Sequence, residues 1–163
     1  MTPDLLLQTL VYAAPVLLAA LGALLSERAG VVNIGLEGLM LVGALAAAAV
    51  AAATGSGLFG AGAAAAAGAA LAALFALFGV TLRRDQVIVG TTVNFLALGI
   101  TGVLARAWTK VHPAALTARP LPGLIGPLDG VTLLALVLVP LSWWLLYRTR
   151  LGVTLRAAGE RPE

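Results

Sequence analysis

The sequence predicts an all-α protein, a polytopic bundle of about five transmembrane helices. Three observations carry this. First, 61% of the 163 residues are hydrophobic and only 10% are charged, against about 45–50% and about 25% in soluble domains. So few charges cannot cover a globule of this size with a water-compatible surface. Second, the charges are segregated: residues 5–25, 38–82, 86–105 and 130–147 contain no Asp, Glu, Lys or Arg. Third, these runs are Ala- and Leu-rich blocks without strict alternation. Blocks of that length suit helices, which satisfy their own backbone hydrogen bonds in lipid; a membrane β-barrel would show short alternating stripes.

A helix needs about 20 apolar residues to cross the hydrocarbon core. Span one is therefore expected at about 5–25, with Pro15 inside it. It follows Met1-Thr2-Pro3-Asp4, which lacks the basic start of a cleaved signal, so the span is expected to be retained. The run 38–82 is twice the needed length. It divides at Thr54-Gly55-Ser56-Gly57, a helix-breaking cluster, into span two at about 36–53 and span three at about 58–82. Span four is expected at about 87–107, after the charged loop Arg83-Arg84-Asp85-Gln86. A connection over 108–130 carries Pro113, Pro120, Pro122 and Pro127. Span five follows at about 131–147, then a polar, basic tail at 148–163.

Counting Lys and Arg in short loops orients such a bundle. With the tail in the cytoplasm, that side holds Arg28, Arg83, Arg84, Arg148, Arg150, Arg156 and Arg161. The other side holds Arg106, Lys110 and Arg119. The excess places the N-terminus outside. A re-entrant 26–38 interval would change the number of crossings before it. The same clustering assigns the net charge of +3 to topology rather than nucleic acid. Trp108, Trp143 and Trp144 lie at expected span ends and read as interface anchors. Ala64, Gly68 and Ala72 recur every fourth residue in span three, a spacing that lets helices approach closely.

Few polar residues interrupt the spans. Glu37 is the only carboxylate within an apolar stretch, and a charge at membrane depth costs about 2.5–3.5 kcal/mol on insertion scales. Two readings stand: a helix-start residue favoured by the positive end of the helix, or part of a broken element, Asn33 to Glu37, that lines a cavity. Gly30, Gly35 and Gly38 make a break feasible. Asn94 and the pair Thr91 and Thr92 lie inside span four. They either bond across helices or line a solute path. The path candidates are thus Asn33, Glu37, Thr91 and Asn94. Asp85 beside Arg83 and Arg84 reads as a solvated loop pair, and His112 receives no role.

Catalytic signatures are absent from the sequence. There is no Cys and one His, so thiolate and multi-His metal sites are excluded and no metal or cofactor is expected. There is no G-x-x-x-x-G-K-[ST] loop, no H-E-x-x-H and no G-x-S-x-G. A non-enzymatic membrane protein is expected. On the residues alone its function would be a gradient-driven transporter half with Glu37 as its ionisable group, or a membrane scaffold without transport.

Three stretches resemble one family. Residues 21–43, LGALLSERAGVVNIGLEGLMLVG, resemble the SERxGVVNIGLEGxM signature of nucleoside-type ABC permeases, relatives of the ribose and branched-chain amino-acid permeases. Residues 84–99, with RDQVIVG followed by NFLALG, are similar to that family's DQxVxGxxxNxLALG pattern. Residues 149–162, TRLGVTLRAAGERP, look like its TxxGLxLRAxGExP cytoplasmic segment, which leads into the loop that docks on the ATPase. The resemblance covers nearly the whole chain and about half of the family's usual length, so a partial gene product is expected. It implies a multi-pass protein of the bacterial inner membrane that moves nucleosides or simple sugars by alternating access. It implies a sister permease, an ABC ATPase that hydrolyses ATP separately, and a lipid-anchored substrate-binding protein. It also implies ATPase-coupling roles for Gly152, Arg156, Gly159 and Glu160.

Overall fold

The computed structural model describes residues 3–111, 123–125 and 128–160. Six α-helices account for nearly all of them: α1 Pro3–Arg28, α2 Leu36–Thr54, α3 Gly57–Ala76, α4 Gln86–Val111, α5 Gly130–Arg148 and α6 Arg150–Gly159. Strands β1 Gly123–Ile125 and β2 Leu128–Asp129 pair antiparallel between α4 and α5. Five helical stretches are long and apolar enough to cross a membrane: Leu5–Arg28, Leu36–Thr54, Gly57–Thr81, Gln86–Lys110 and Gly130–Arg148. At 1.5 Å per residue, 19 to 25 residues span about 28–38 Å, enough for a hydrocarbon core of about 30 Å.

Burial is sparse in a manner that fits lipid rather than water. The buried apolar side chains among the described residues are Ala14, Phe75, Val93, Ala97, Ala135 and Leu146, while Tyr12, Leu58, Ile88, Phe95 and Val103 are at least 65% exposed. An apolar surface this extensive is incompatible with a monomer in water. The chain is a multi-pass membrane protein.

The chain forms two compact units, Met1–Val32 with Leu121–Glu163, and Asn33–Pro120. In the first, α1 packs on α5, and α6 packs on both. α1 ends in a Schellman motif. The Gly30 N–H bonds to the Glu27 carbonyl and the Val31 N–H to the Ser26 carbonyl, with Gly30 left-handed at φ +80°. At the other end of the unit, Asp129 caps α5. Its Oδ1 accepts from the Thr132 N–H at 2.8 Å.

In the second unit, α2 packs on both α3 and α4. α2 and α3 run antiparallel around Gly55, which takes the left-handed conformation that closes a helix (φ +70°). The close approach lies near that turn. A Cβ on Gly60 would come 2.8 Å from the Ala47 carbonyl oxygen and 2.9 Å from the Ala51 Cβ. Gly43 faces Ala64 in the same seam. The stripe expected through Gly68 is displaced, because Gly68 has no neighbour within 4 Å of a would-be Cβ. The seam uses Gly60 and Ala64, since the short connection holds the two helices closest near their joined ends.

Span three does not stay α-helical to its end. Leu77–Thr81 form a π-helical turn, in which Gly79 is buried against Phe75 and Gln86. Arg83 then takes a positive φ of 51° before α4 begins. Asp85 is the cap of α4, its Oδ1 accepting from the Val87 and Ile88 N–H groups at 2.8 and 3.2 Å. From the sequence Asp85 reads as a solvated loop pair with Arg83 and Arg84; an Asp one residue ahead of an apolar run was the signal for the cap. α4 continues to Val111, four residues beyond the expected 107. His112 and Arg119, Pro113, Pro120, Pro122 and Pro127, and Arg161 lie outside the described residues.

Candidate functional site

The polar residues singled out in the second unit gather where the first turn of α2 crosses α4. Between α1 and α2 the backbone is non-helical from Ala29 to Gly35. Asn33 turns its side chain onto its own segment, Oδ1 accepting the Gly35 N–H at 3.0 Å. Gly35 then occupies the N-cap of α2 and has no side chain with which to cap it.

The missing cap comes from another helix. Asn94 Oδ1 accepts the Gly38 N–H at 2.7 Å, one of the N–H groups left orphaned at a helix start. Asn94 Nδ2 donates to the Ile34 carbonyl at 3.0 Å. Both ends of the carboxamide are thereby used. The orientation follows from the partners, because a backbone N–H only donates and a carbonyl only accepts.

Small residues permit this crossing. A Cβ on Gly38 would lie 2.9 Å from both the Ala97 Cβ and Asn94 Oδ1. A Cβ on Gly90 would lie 3.0 Å from the Gly35 nitrogen. Val93 and Ala97 are buried on the same face of α4. Gly90 and Ala97 stand in the permease-like pattern over 84–99 but were not named as site candidates. Their helical spacing around Asn94 was the available signal.

Thr91 is exposed and donates to the Val87 carbonyl of its own helix at 2.8 Å; Thr92 does the same to Ile88. Glu37 is exposed in the first turn of α2. Among the described residues no side chain or backbone group bonds its carboxylate. Of the four path candidates, Asn33, Thr91 and Asn94 each hold a backbone group, and Glu37 alone is uncommitted within the described residues. Among the described residues, no group of three His, Cys, Asp or Glu side chains could hold a metal ion.

The tail candidates lie on α6 in the first unit. Thr149 joins α5 to α6. Its hydroxyl donates to the Leu145 carbonyl at 2.6 Å and accepts the Gly152 N–H at 3.2 Å. A Cβ on Gly152 would overlap the carbonyl oxygens of Leu145 and Leu146, so α6 starts flush against the end of α5. At its other end, Gly159 meets the Arg28 carbonyl and the Gly30 nitrogen. α6 thus reaches from the C-terminal end of α5 to that of α1. Arg156 Nε donates to the Gly152 carbonyl at 3.3 Å, and its guanidinium lies 5.1 Å from the Tyr147 ring centroid. Glu160 is exposed. The sequence reading treated this tail as polar and basic. The structure makes it an amphipathic helix, with Leu151, Leu155 and Ala158 beside Leu145 lining an apolar groove.

Comparison with known proteins sets this arrangement in a family. The chain is similar to the guanosine ABC transporter permease of Bacillus subtilis, 38% identical over 94% of this chain and 55% of that protein. It is 41% identical to a putative glucose ABC transporter permease of Haloferax volcanii, over 97% of this chain and 52% of that one. It is 29% identical to a nucleoside ABC transporter permease of Lactococcus lactis, over 94% and 55%. The chain spans about half the length of the curated relatives it matches. No solved structure matches it significantly. The family described as the branched-chain amino acid transport system permease component matches residues 5–163, and with a match that runs through every helix described above, the chain belongs to that family.

Proposed function

We propose that this chain is part of the membrane pathway of an ATP-driven importer for nucleosides or simple sugars in the bacterial inner membrane. The carrying observation is the family match over residues 5–163, together with relatives named for guanosine, glucose and nucleoside transport. The site suits such cargo. A neutral, hydroxyl-rich solute is held by hydrogen bonds, and the first turn of α2 presents Glu37 as an exposed acceptor. Asn94 contributes through the shape of that turn. No covalent step is required of the chain, and ATP is hydrolysed by a separate ABC ATPase. A sister permease and a lipid-anchored binding protein complete the assembly.

In this reading α6 is the contact for the ATPase. Its position across the ends of α1 and α5 passes a push on the tail to both helices, and solute moves by alternating access. Glu160 and the exposed Arg150 offer charges to that partner. The test is uptake of radiolabelled guanosine and glucose by proteoliposomes that carry this chain together with its ATPase, sister permease and binding protein. Uptake that requires ATP supports the proposal. Uptake that persists without ATP and collapses with the proton gradient overturns it in favour of a gradient-driven transporter.

A further inference from the structure

We propose that Asn94 is a positioning residue that acts through α2 to fix how Glu37 is presented. The inference rests on the reading of Glu37 as the solute-facing group. Asn94 lies within α4, and its carboxamide grips backbone groups 56 and 60 positions earlier. Those two groups, the Gly38 N–H and the Ile34 carbonyl, bracket Glu37 in the chain. Holding both restrains the backbone of the three residues between them, Gly35, Leu36 and Glu37.

The turn needs an external hold. Gly35 and Gly38 flank Glu37 closely, and glycine restricts the backbone least of all residues. The N-cap position supplies no side-chain bond. Local sterics and local capping, the usual determinants of a helix start, are therefore both weak here, and the clasp from α4 replaces them. Its geometry is selective. Only a short side chain with one donor and one acceptor meets both partners. Leu offers neither group, and Asp keeps the acceptor but turns a second oxygen toward the Ile34 carbonyl.

The threonines of α4 show that polar groups there have another option. Thr91, Thr92, Thr101 and Thr109 each bond back to a carbonyl of their own helix. Asn94 instead bonds α2 at both ends. The consequence is directional: Gly38 is buried against Asn94 and Ala97, and its neighbour Glu37 is exposed. Registration of the buried glycine decides the direction of the exposed carboxylate.

The chain contains no Cys, so a single nitroxide label can be placed without background. Glu37→Cys reports the first turn of α2, and Ala66→Cys, on an exposed position of α3, reports the rest of the unit. Both are prepared in nanodiscs with Asn94, Asn94→Asp and Asn94→Leu. The expected result is that Asn94→Leu mobilises the label at 37 and leaves the label at 66 unchanged, with Asn94→Asp between. Amide exchange at Gly38 should quicken on the order of tenfold, the scale of losing one cap. An unchanged label at 37 overturns the proposal. Equal loosening at 37 and 66 also overturns it, because Asn94 would then support the unit as a whole.

A second readout ties the clasp to transport. In the assembled importer, Asn94→Leu and Glu37→Gln should be non-additive in uptake, since the first acts through the second. Additive losses overturn the positioning role. Absence of ATP-dependent uptake by the unsubstituted protein overturns the transport reading, and the label at 37 still decides whether Asn94 positions the turn.

Discussion

Gly159 sits so close to Arg28 that a Cβ added to it would lie 2.5 Å from the Arg28 carbonyl oxygen and 3.0 Å from the Gly30 nitrogen. That contact seats the end of α6 on the end of α1. It changes how a substitution in the tail should be read, because any side chain at 159 must push backbone away from backbone.

Gly159→Ala is expected to destabilise the α1–α6 contact by about 1–3 kcal/mol, the usual cost of overpacking. Loss of a bound ATPase in that variant would follow from the displaced helix. Glu160→Lys separates the two effects. Glu160 is exposed, so the fold should persist while ATPase recovery in a pull-down falls. Equal recovery from the Glu160 variant and the parent would remove Glu160 from the proposed coupling surface.

The α2–α3 seam gives a paired prediction. Gly60→Ala should lower thermal stability in detergent by about 1–3 kcal/mol, since the added methyl meets the Ala47 carbonyl at 2.8 Å. Gly68→Ala meets nothing within 4 Å and should be neutral or mildly stabilising, as Ala is favoured over Gly in helices by about 1 kcal/mol. Thermal unfolding monitored by circular dichroism distinguishes the two. If both are tolerated, the seam does not lie at Gly60.

Asp85→Ala should fray the start of α4, because the carboxylate accepts from two N–H groups there. The expected loss is about 1 kcal/mol. It should appear as faster amide exchange at residues 86–89 with the centre of α4 unchanged. Asp85→Asn, which keeps the acceptor, should restore protection.

Asn94→Leu is expected to insert in the membrane at the parental level and to reduce uptake. Removing a carboxamide from an apolar helix does not hinder insertion, while the Gly38 N–H and Ile34 carbonyl lose their partner. Equal membrane-fraction yield with reduced uptake is the expected pair of measurements. Undiminished uptake would leave Asn94 with a packing role alone.

The membrane class and the helical form, with five helices long and apolar enough to cross a membrane, were legible in the residues alone. Insertion depends on local composition over about 20 residues, and that information is contiguous in the chain. The same holds for the break before α2, written in Gly30, Gly35 and Gly38, and for the permease signature from 21 to 43. What only the tertiary structure decided was which partner each polar residue takes. Asn94 bonding across to α2 and Thr91 bonding back along α4 are both polar side chains in one apolar helix, and no local rule separates them. Gly60 and Gly68 likewise read as equivalent small residues, yet one lies in a seam and the other faces open space. Such choices depend on the rotation of each helix against its neighbour. In a bundle with charge-free faces, hydrophobicity does not set that rotation; close backbone approach and the pairing of the few polar groups do.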